Sequence, residues 1–272
     1  MNVTRIDDSA DPRLGDYIGV RDPLLVKQRG LFIAESRLVV RRLLDAGRFS
    51  VKSLLLHDAS AAGMADLVSR DGLEAEVFVA PLEVIRAVSG YNLHRGCLAV
   101  AERPENRGFD EVVDTSEFVI VLERISDADN IGSIFRSSEA IGVDAVLLSP
   151  GCCDPFYRKA VRTSAGATMM VPFADAEPWP EALDQLRARG FTVAALTPAS
   201  DAIDIGAFAQ TPAARGKVAL LMGTEGHGLT PEAFAHADVR LTIPMTGAAD
   251  SLNVGVAAGI AIHRLSDARR PK

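Results

Sequence analysis

Phe118-Val119-Ile120-Val121-Leu122 is an unbroken apolar run of strand length, and Ala145-Val146-Leu147-Leu148 repeats it further along. Between them, residues 131–142 have helical spacing: Ile131, Ile134, Phe135 and Ile141 share one face, while Arg136 and Glu139 point elsewhere. Strands that are apolar throughout are covered on both faces, which means a parallel sheet flanked by helices. Residues 191–196 and 218–222 continue the pattern, so the C-terminal half reads as an α/β parallel-sheet domain.

Toward the N-terminus the pattern lapses into Glu102-Arg103-Pro104-Glu105-Asn106-Arg107-Gly108 and an acidic stretch. Such a lapse marks a boundary. It predicts a first domain over 1–103, a linker over 104–117 and a second domain over 118–272. In the first domain, 31–34, 51–56, 75–79 and 97–101 read as strands. Residues 35–46 read as a helix that Gly47 stops.

Composition excludes several classes. Apolar residues make up 48% of the 272 and charged ones 24%, which rules out a largely disordered chain. No apolar run approaches the roughly 18 residues of a membrane helix, and no apolar stretch follows a basic start. Three cysteines, with Cys152 and Cys153 adjacent, form neither a disulfide framework nor a zinc pattern. A soluble, cytoplasmic protein is expected. The net charge of −7 argues against a surface that coats nucleic acid. Residues 21–52, however, hold eight basic and three acidic residues, so a polyanion could still be held locally. A solvated helix face explains the same charges.

Familiar catalytic motifs are missing. There is no P-loop, and Gly223-Thr224-Glu225-Gly226-His227-Gly228 lacks the spacing of the dinucleotide fingerprint. The five histidines include no i, i+4 pair, and there is no Gly-x-Ser-x-Gly elbow. No metal-ligand set is visible.

Three polar, glycine-bearing segments stand where a plain βαβ protein would use ordinary turns. The first is Asp129-Asn130-Ile131-Gly132-Ser133-Ile134-Phe135-Arg136, in which Asn130 suits a helix N-cap. The second is Met222-Gly223-Thr224-Glu225-Gly226-His227-Gly228-Leu229. The third is Ile243-Pro244-Met245-Thr246-Gly247 with Asp250-Ser251-Leu252-Asn253-Val254, opening a small-residue helix. Ligands of parallel sheets bind beyond the carboxyl ends of the strands, where all three should fall.

Together these segments resemble the signature motifs of the SpoU-type (TrmH-like) RNA 2′-O-ribose methyltransferases of the SPOUT superfamily. The resemblance runs from about Phe118 to Leu265 and includes 159–167. Residues 30–37 look like the start of the family's small α/β RNA-binding domain, of the ribosomal-protein L30e type. What the resemblance implies is a deep trefoil knot in the C-terminal domain, a homodimer formed through it, and S-adenosylmethionine as methyl donor, with no metal. The cofactor loops map onto Gly223, Ile243 and Leu252, which by themselves read as a turn and two core positions. Arg136 matches the motif-one arginine. A guanidinium holds its proton too tightly for a general base, so binding phosphate and stabilising the developing alkoxide suit it better. An ion pair with Glu139 is the plain alternative.

Asn130 matches the asparagine that positions Arg136 and the acceptor ribose. Glu225 matches the motif-two glutamate, suited to holding the cofactor loop or organising Arg136 across the dimer. Ser251 and Asn253 match motif three and also make sense as a helix cap. Arg29, Arg37 and Arg41 are the candidate RNA contacts, since phosphate contacts position without specifying sequence. Three departures stand out: Gly255 where Ser is frequent, Thr224 for Asn, and Ser36 for Gly. The resemblance implies methylation of a ribose 2′-hydroxyl, with rRNA ahead of tRNA. The alternatives are a tRNA 2′-O-methyltransferase or a noncatalytic RNA-binding or ribosome-assembly factor.

Overall fold

The computed structural model describes residues 3–18, 22–69, 73–89, 96–224, 226–247 and 251–269. The first part of the chain forms β1 (Val3–Arg5), α1 (Asp22–Arg29), β2 (Leu31–Glu35), α2 (Arg37–Ala46), β3 (Val51–Leu56), α3 (Asp58–Ala62), α4 (Ala65–Val68), β4 (Glu76–Val79), α5 (Leu82–Ser89) and β5 (Cys97–Glu102). Then come α6 (Phe109–Asp114), β6 (Phe118–Leu122), α7 (Ala128–Ile141), β7 (Ala145–Leu148), α8 (Arg158–Thr163), β8 (Phe173–Asp175), α9 (Ala182–Ala188) and β9 (Phe191–Leu196). The chain finishes with β10 (Ile203–Asp204), α10 (Ile205–Phe208), α11 (Pro212–Arg215), β11 (Lys217–Met222), α12 (Pro231–Ala235), β12 (Val239–Thr242) and α13 (Val254–Arg269). It divides into two compact units, Met1–Glu105 with Pro155–Met169, and Asn106–Asp154 with Met170–Lys272.

The first unit carries a five-stranded mixed sheet, β1-β4-β3-β5-β2, in which β5 runs antiparallel to β3 and β2. Helix α2 ends where expected, on Gly47 at φ +63 in the left-handed conformation. Its N-cap is Ser36, at φ +87 and ψ 152, whose hydroxyl accepts the Val39 N–H at 3.4 Å. Residues 155–169 join this unit through a buried ion pair, Arg158 Nε to Glu35 Oε2 at 3.1 Å, made where α8 packs on β2. Arg42 donates to the Ala165 carbonyl at 2.9 Å, and Arg48 to the Met169 carbonyl.

The second unit is built on seven parallel strands in the order β10-β12-β9-β11-β6-β7-β8. Alternate residues of the sheet (Val119, Val121, Leu147, Val193, Leu221) pack in one buried cluster with Leu183 and Leu186 of α9 and Ala233 of α12. Residues between them, such as Ile120 and Leu220, are equally buried, which is why these strands read as continuous apolar runs. Helix α6 falls inside the stretch expected as a linker. Its Val112 and Val113 belong to the same cluster, and four acidic or polar neighbours had hidden them. Strands β1, β8, β10 and β12 were not foreseen: each has two to four residues, too few for alternation to show.

Candidate active site

In an open parallel sheet, ligands bind beyond the carboxyl ends of the strands. Here the carboxyl ends of β9, β11 and β12 open onto a cleft of about 280 Å3. Leu196, Met222, Ile243 and Leu252 supply apolar walls, and Ser251 and Thr224 supply hydroxyls. All three residues expected to hold a cofactor, Gly223, Ile243 and Leu252, line it, as does Ser251.

Gly223 is there for steric reasons. A Cβ on it would lie 2.3 Å from the carbonyl of Gly228, so no other residue fits. The loop closes on itself by Thr224 N–H to Gly228 O at 3.1 Å and Gly228 N–H to Thr224 O at 2.9 Å. Gly226 and Gly228 take φ +88 and +67, a region that favours glycine. Glu225, the expected motif-two carboxylate, lies outside the described residues.

Glu123 anchors the far end of that loop, a role the sequence did not suggest. It follows β6 and is 1% exposed. Its carboxylate accepts Trp179 Nε1–H at 3.0 Å, the Thr230 N–H at 2.8 Å and the Thr230 hydroxyl at 2.7 Å. Thr230 is in turn the N-cap of α12, directly after the glycine loop. A buried carboxylate survives only when its lone pairs are met, and here they are. The signal available was a lone acidic residue ending an apolar strand.

The first and third motifs meet where α7 packs on α13. Asn253 Nδ2 donates to Asn130 Oδ1 at 2.9 Å, and Asn253 Oδ1 accepts the Val256 N–H at 3.1 Å. Asn253 is thus both the cap of α13 and the partner of Asn130. Asn130 is not a cap itself: Asp127 caps α7, accepting the Asp129 and Asn130 N–H groups, and Asn130 is buried in the first turn. The expectation failed because Asp127 is an equally good cap three residues earlier. Gly255 lies over Ser133, where a Cβ would meet Ser133 Cβ at 3.0 Å, and Gly259 lies over Ser137 one turn on. The seam is therefore lined by small residues, with the hydroxyls on α7.

Arg136 is exposed on α7, and among the described residues it forms no ion pair, with Glu139 or otherwise. Neither Arg136 nor the two asparagines line the cleft of this chain. In the first unit, Arg29 pairs with Asp16 at 3.0 Å and Arg41 pairs with Asp66 through two hydrogen bonds, at 2.8 and 3.1 Å. The Arg41 hydrogen bond holds the Asp66 carboxyl below its ordinary range. Arg37 is exposed, its guanidinium lying along Gly63.

Residues 117–263 match the model of the SpoU rRNA Methylase family. The chain belongs to that family. It is 40% identical to an uncharacterized tRNA/rRNA methyltransferase of Mycobacterium tuberculosis (strain ATCC 25618 / H37Rv), over 97% of this chain and 91% of the relative. It is 32% identical to the 23S rRNA (guanosine(2553)-2′-O)-methyltransferase RlmP of Bacillus subtilis (strain 168), over 61% of this chain and 63% of that one. Its fold matches that of an AdoMet-bound rRNA methyltransferase from Sinorhizobium meliloti, with a TM-score of 0.79, 26% identity and 97% of each chain covered. As a SpoU-family member the chain is an RNA methyltransferase, and its matched region takes in the cleft, the glycine loop and the asparagine pair together.

Proposed function

We propose that the chain transfers the methyl group of S-adenosylmethionine to a ribose 2′-hydroxyl of RNA, with rRNA ahead of tRNA. The observation that carries this is the cleft at the strand ends, lined by Gly223, Ile243, Ser251 and Leu252 from motifs two and three. Its chemistry fits the donor. Apolar walls suit an adenine ring, and the bare backbone at Gly223 lets a ligand approach main-chain donors and acceptors. Among the described residues no group of metal-ligating side chains occurs, and the reaction needs none.

The donor supplies an electrophilic methyl carbon on a sulfonium. The 2′-oxygen forms its bond to that carbon as the bond to sulfur breaks, so that S-adenosylhomocysteine leaves with the electron pair on sulfur and the hydroxyl proton passes to water. Such an in-line displacement depends mainly on alignment, so the protein's task is to hold two partners in register. Asn253, fixed by its hydrogen bonds to α13 and to Asn130, keeps motif three rigid at the cleft edge. Ser251 offers a hydroxyl to the methionine part or the acceptor. Arg136, exposed and unpaired among the described residues, suits an incoming phosphate and the charge growing on the 2′-oxygen.

Because Arg136 does not line its own cleft, we infer that the chain acts as a homodimer through a knotted C-terminal domain, with Arg136 and Glu225 working across the interface. Val256 and Ile260, 53% and 37% exposed on the outer side of α13, favour such a contact. The first unit then serves as an L30e-like RNA-binding domain. Arg37 is the readiest contact there, while Arg29 and Arg41 would exchange Asp16 and Asp66 for phosphate. Exposed ion pairs are weak enough for that exchange. Among the described residues no helix is long and apolar enough to cross a membrane, and a cytoplasmic site of action fits an RNA acceptor.

Labelled S-adenosylmethionine incubated with separate unmodified rRNA and tRNA pools tests the reading. The expected result is label at one alkali-resistant ribose position in rRNA. Label confined to tRNA would move the substrate, and label at a base would overturn the assignment.

A further inference from the structure

Arg124 stands between two buried neighbours at the carboxyl end of β6. Glu123 turns inward onto Trp179 and Thr230, and Ile125 is buried, with its carbonyl accepting the Cys153 N–H at 2.8 Å. The chain makes the turn between them at Arg124, which takes φ +57 in the left-handed region. Its own N–H is held by Ser149 Oγ at 3.0 Å. Glycine and asparagine reach this conformation at little cost, so a long side chain is a poor choice on backbone grounds. Gly151, itself at φ +89, lies beside the arginine stem: a Cβ there would be in ordinary contact, 3.8 Å from Arg124 Cγ. The side chain is exposed, and among the described residues its guanidinium has neither an ion pair nor a hydrogen bond. Nothing inside the fold accounts for an arginine here, and backbone outliers of this kind concentrate at functional sites.

Its place in the sheet says what it serves. Leu122 pairs with Met222 in register, and Met222 lines the cleft. Arg124 is thus two residues beyond the strand adjacent to the cleft, at the start of the loop that leads to Asn130. We propose that Arg124 binds a backbone phosphate of the acceptor RNA beside the methyl-transfer cleft. A guanidinium suits this contact because it offers phosphate two parallel hydrogen bonds. The assignment rests on the acceptor being RNA.

The full chain, with Arg124→Asn and Arg124→Lys, is titrated with a twenty-nucleotide oligouridylate over a range of KCl concentrations. Phosphate contacts are independent of sequence, so this probe reads them. Arg124→Asn should bind about tenfold more weakly. Its log–log salt slope should be shallower by about 0.7, the value for one lost contact on a single strand. Arg124→Lys should keep the slope. S-adenosylmethionine affinity should be unchanged in both, and Arg124→Asn should melt no lower than wild type, because asparagine tolerates this backbone. Equal slopes for wild type and Arg124→Asn would overturn the proposal, as would loss of cofactor binding or a lowered Tm, which mark a structural role. If wild type itself fails to bind the RNA at low salt, the RNA-acceptor reading falls and this proposal with it.

Discussion

Ser36 stands where the resemblance implies glycine, and its backbone has the conformation that glycine suits. At φ +87 and ψ 152 it sits in a region that is almost exclusive to glycine. Such a conformation costs a non-glycine residue on the order of 1–3 kcal/mol. Replacing Ser by Gly gives back about 0.5–1 kcal/mol in unfolded-chain entropy and a few tenths for the weaker cap. Ser36→Gly should therefore stabilise the protein by about 1 kcal/mol, seen as a higher urea midpoint at unchanged m-value. Gly223 gives the opposite case. Gly223→Ala drives a Cβ into the Gly228 carbonyl, so the glycine loop has to open. Calorimetry should find S-adenosylmethionine affinity lowered by 100-fold or more, roughly 2.7 kcal/mol. The place of Gly223 at the cleft was legible in the sequence through the order of the motifs, not through the close approach that requires glycine. The strain at Ser36 was not, because φ is a property of the assembled chain.

Elements carry the next set of consequences. Glu123 connects the end of β6 to the start of α12 across the glycine loop. Glu123→Gln would set an amide N–H against a donor on Thr230 or Trp179, at a cost of about 2 kcal/mol in stability. Cofactor affinity should fall with it, since the loop between β11 and α12 loses its anchor. The two roles of Asn253 also separate. Asn253→Ser keeps a cap for α13 but is too short to reach Asn130, whereas Asn253→Ala loses both. Methyl transfer should drop in both variants, while only Asn253→Ala should lose a further ~1 kcal/mol of stability in chemical denaturation. Equal loss of stability in the two would mean that the Asn130 contact, not the cap, holds the helix. At this scale the long apolar strands and α7 were readable from periodicity alone, because both faces of a parallel sheet are covered. The cap of α7 was misplaced, and β12 went unseen with only Leu241 buried in it. The cleft residues Gly223, Ile243 and Leu252 came from motif order rather than from any property of their side chains.

On the scale of the whole molecule, the exposed pair on α13 bears on the assembly. Val256→Glu with Ile260→Glu should turn a dimer into a monomer by sedimentation velocity. Methyl transfer should be lost while cofactor binding to the isolated chain remains. A monomeric wild type that is fully active would remove the dimer from the mechanism. The two units themselves are not consecutive in the chain. Residues Pro155–Met169 leave the second unit to complete the first, where Arg158 neutralises the buried Glu35. During synthesis, domains generally form in order from the N-terminus. Here the earlier unit still lacks its last segment when its own first 105 residues have emerged, and Glu35 has no Arg158 to pair with. That segment is complete only when a third of the later unit has been made, through Met169. The synthesis of the two units is therefore interleaved, and a fusion that lifts out residues 1–105 alone leaves behind the segment that carries Arg158.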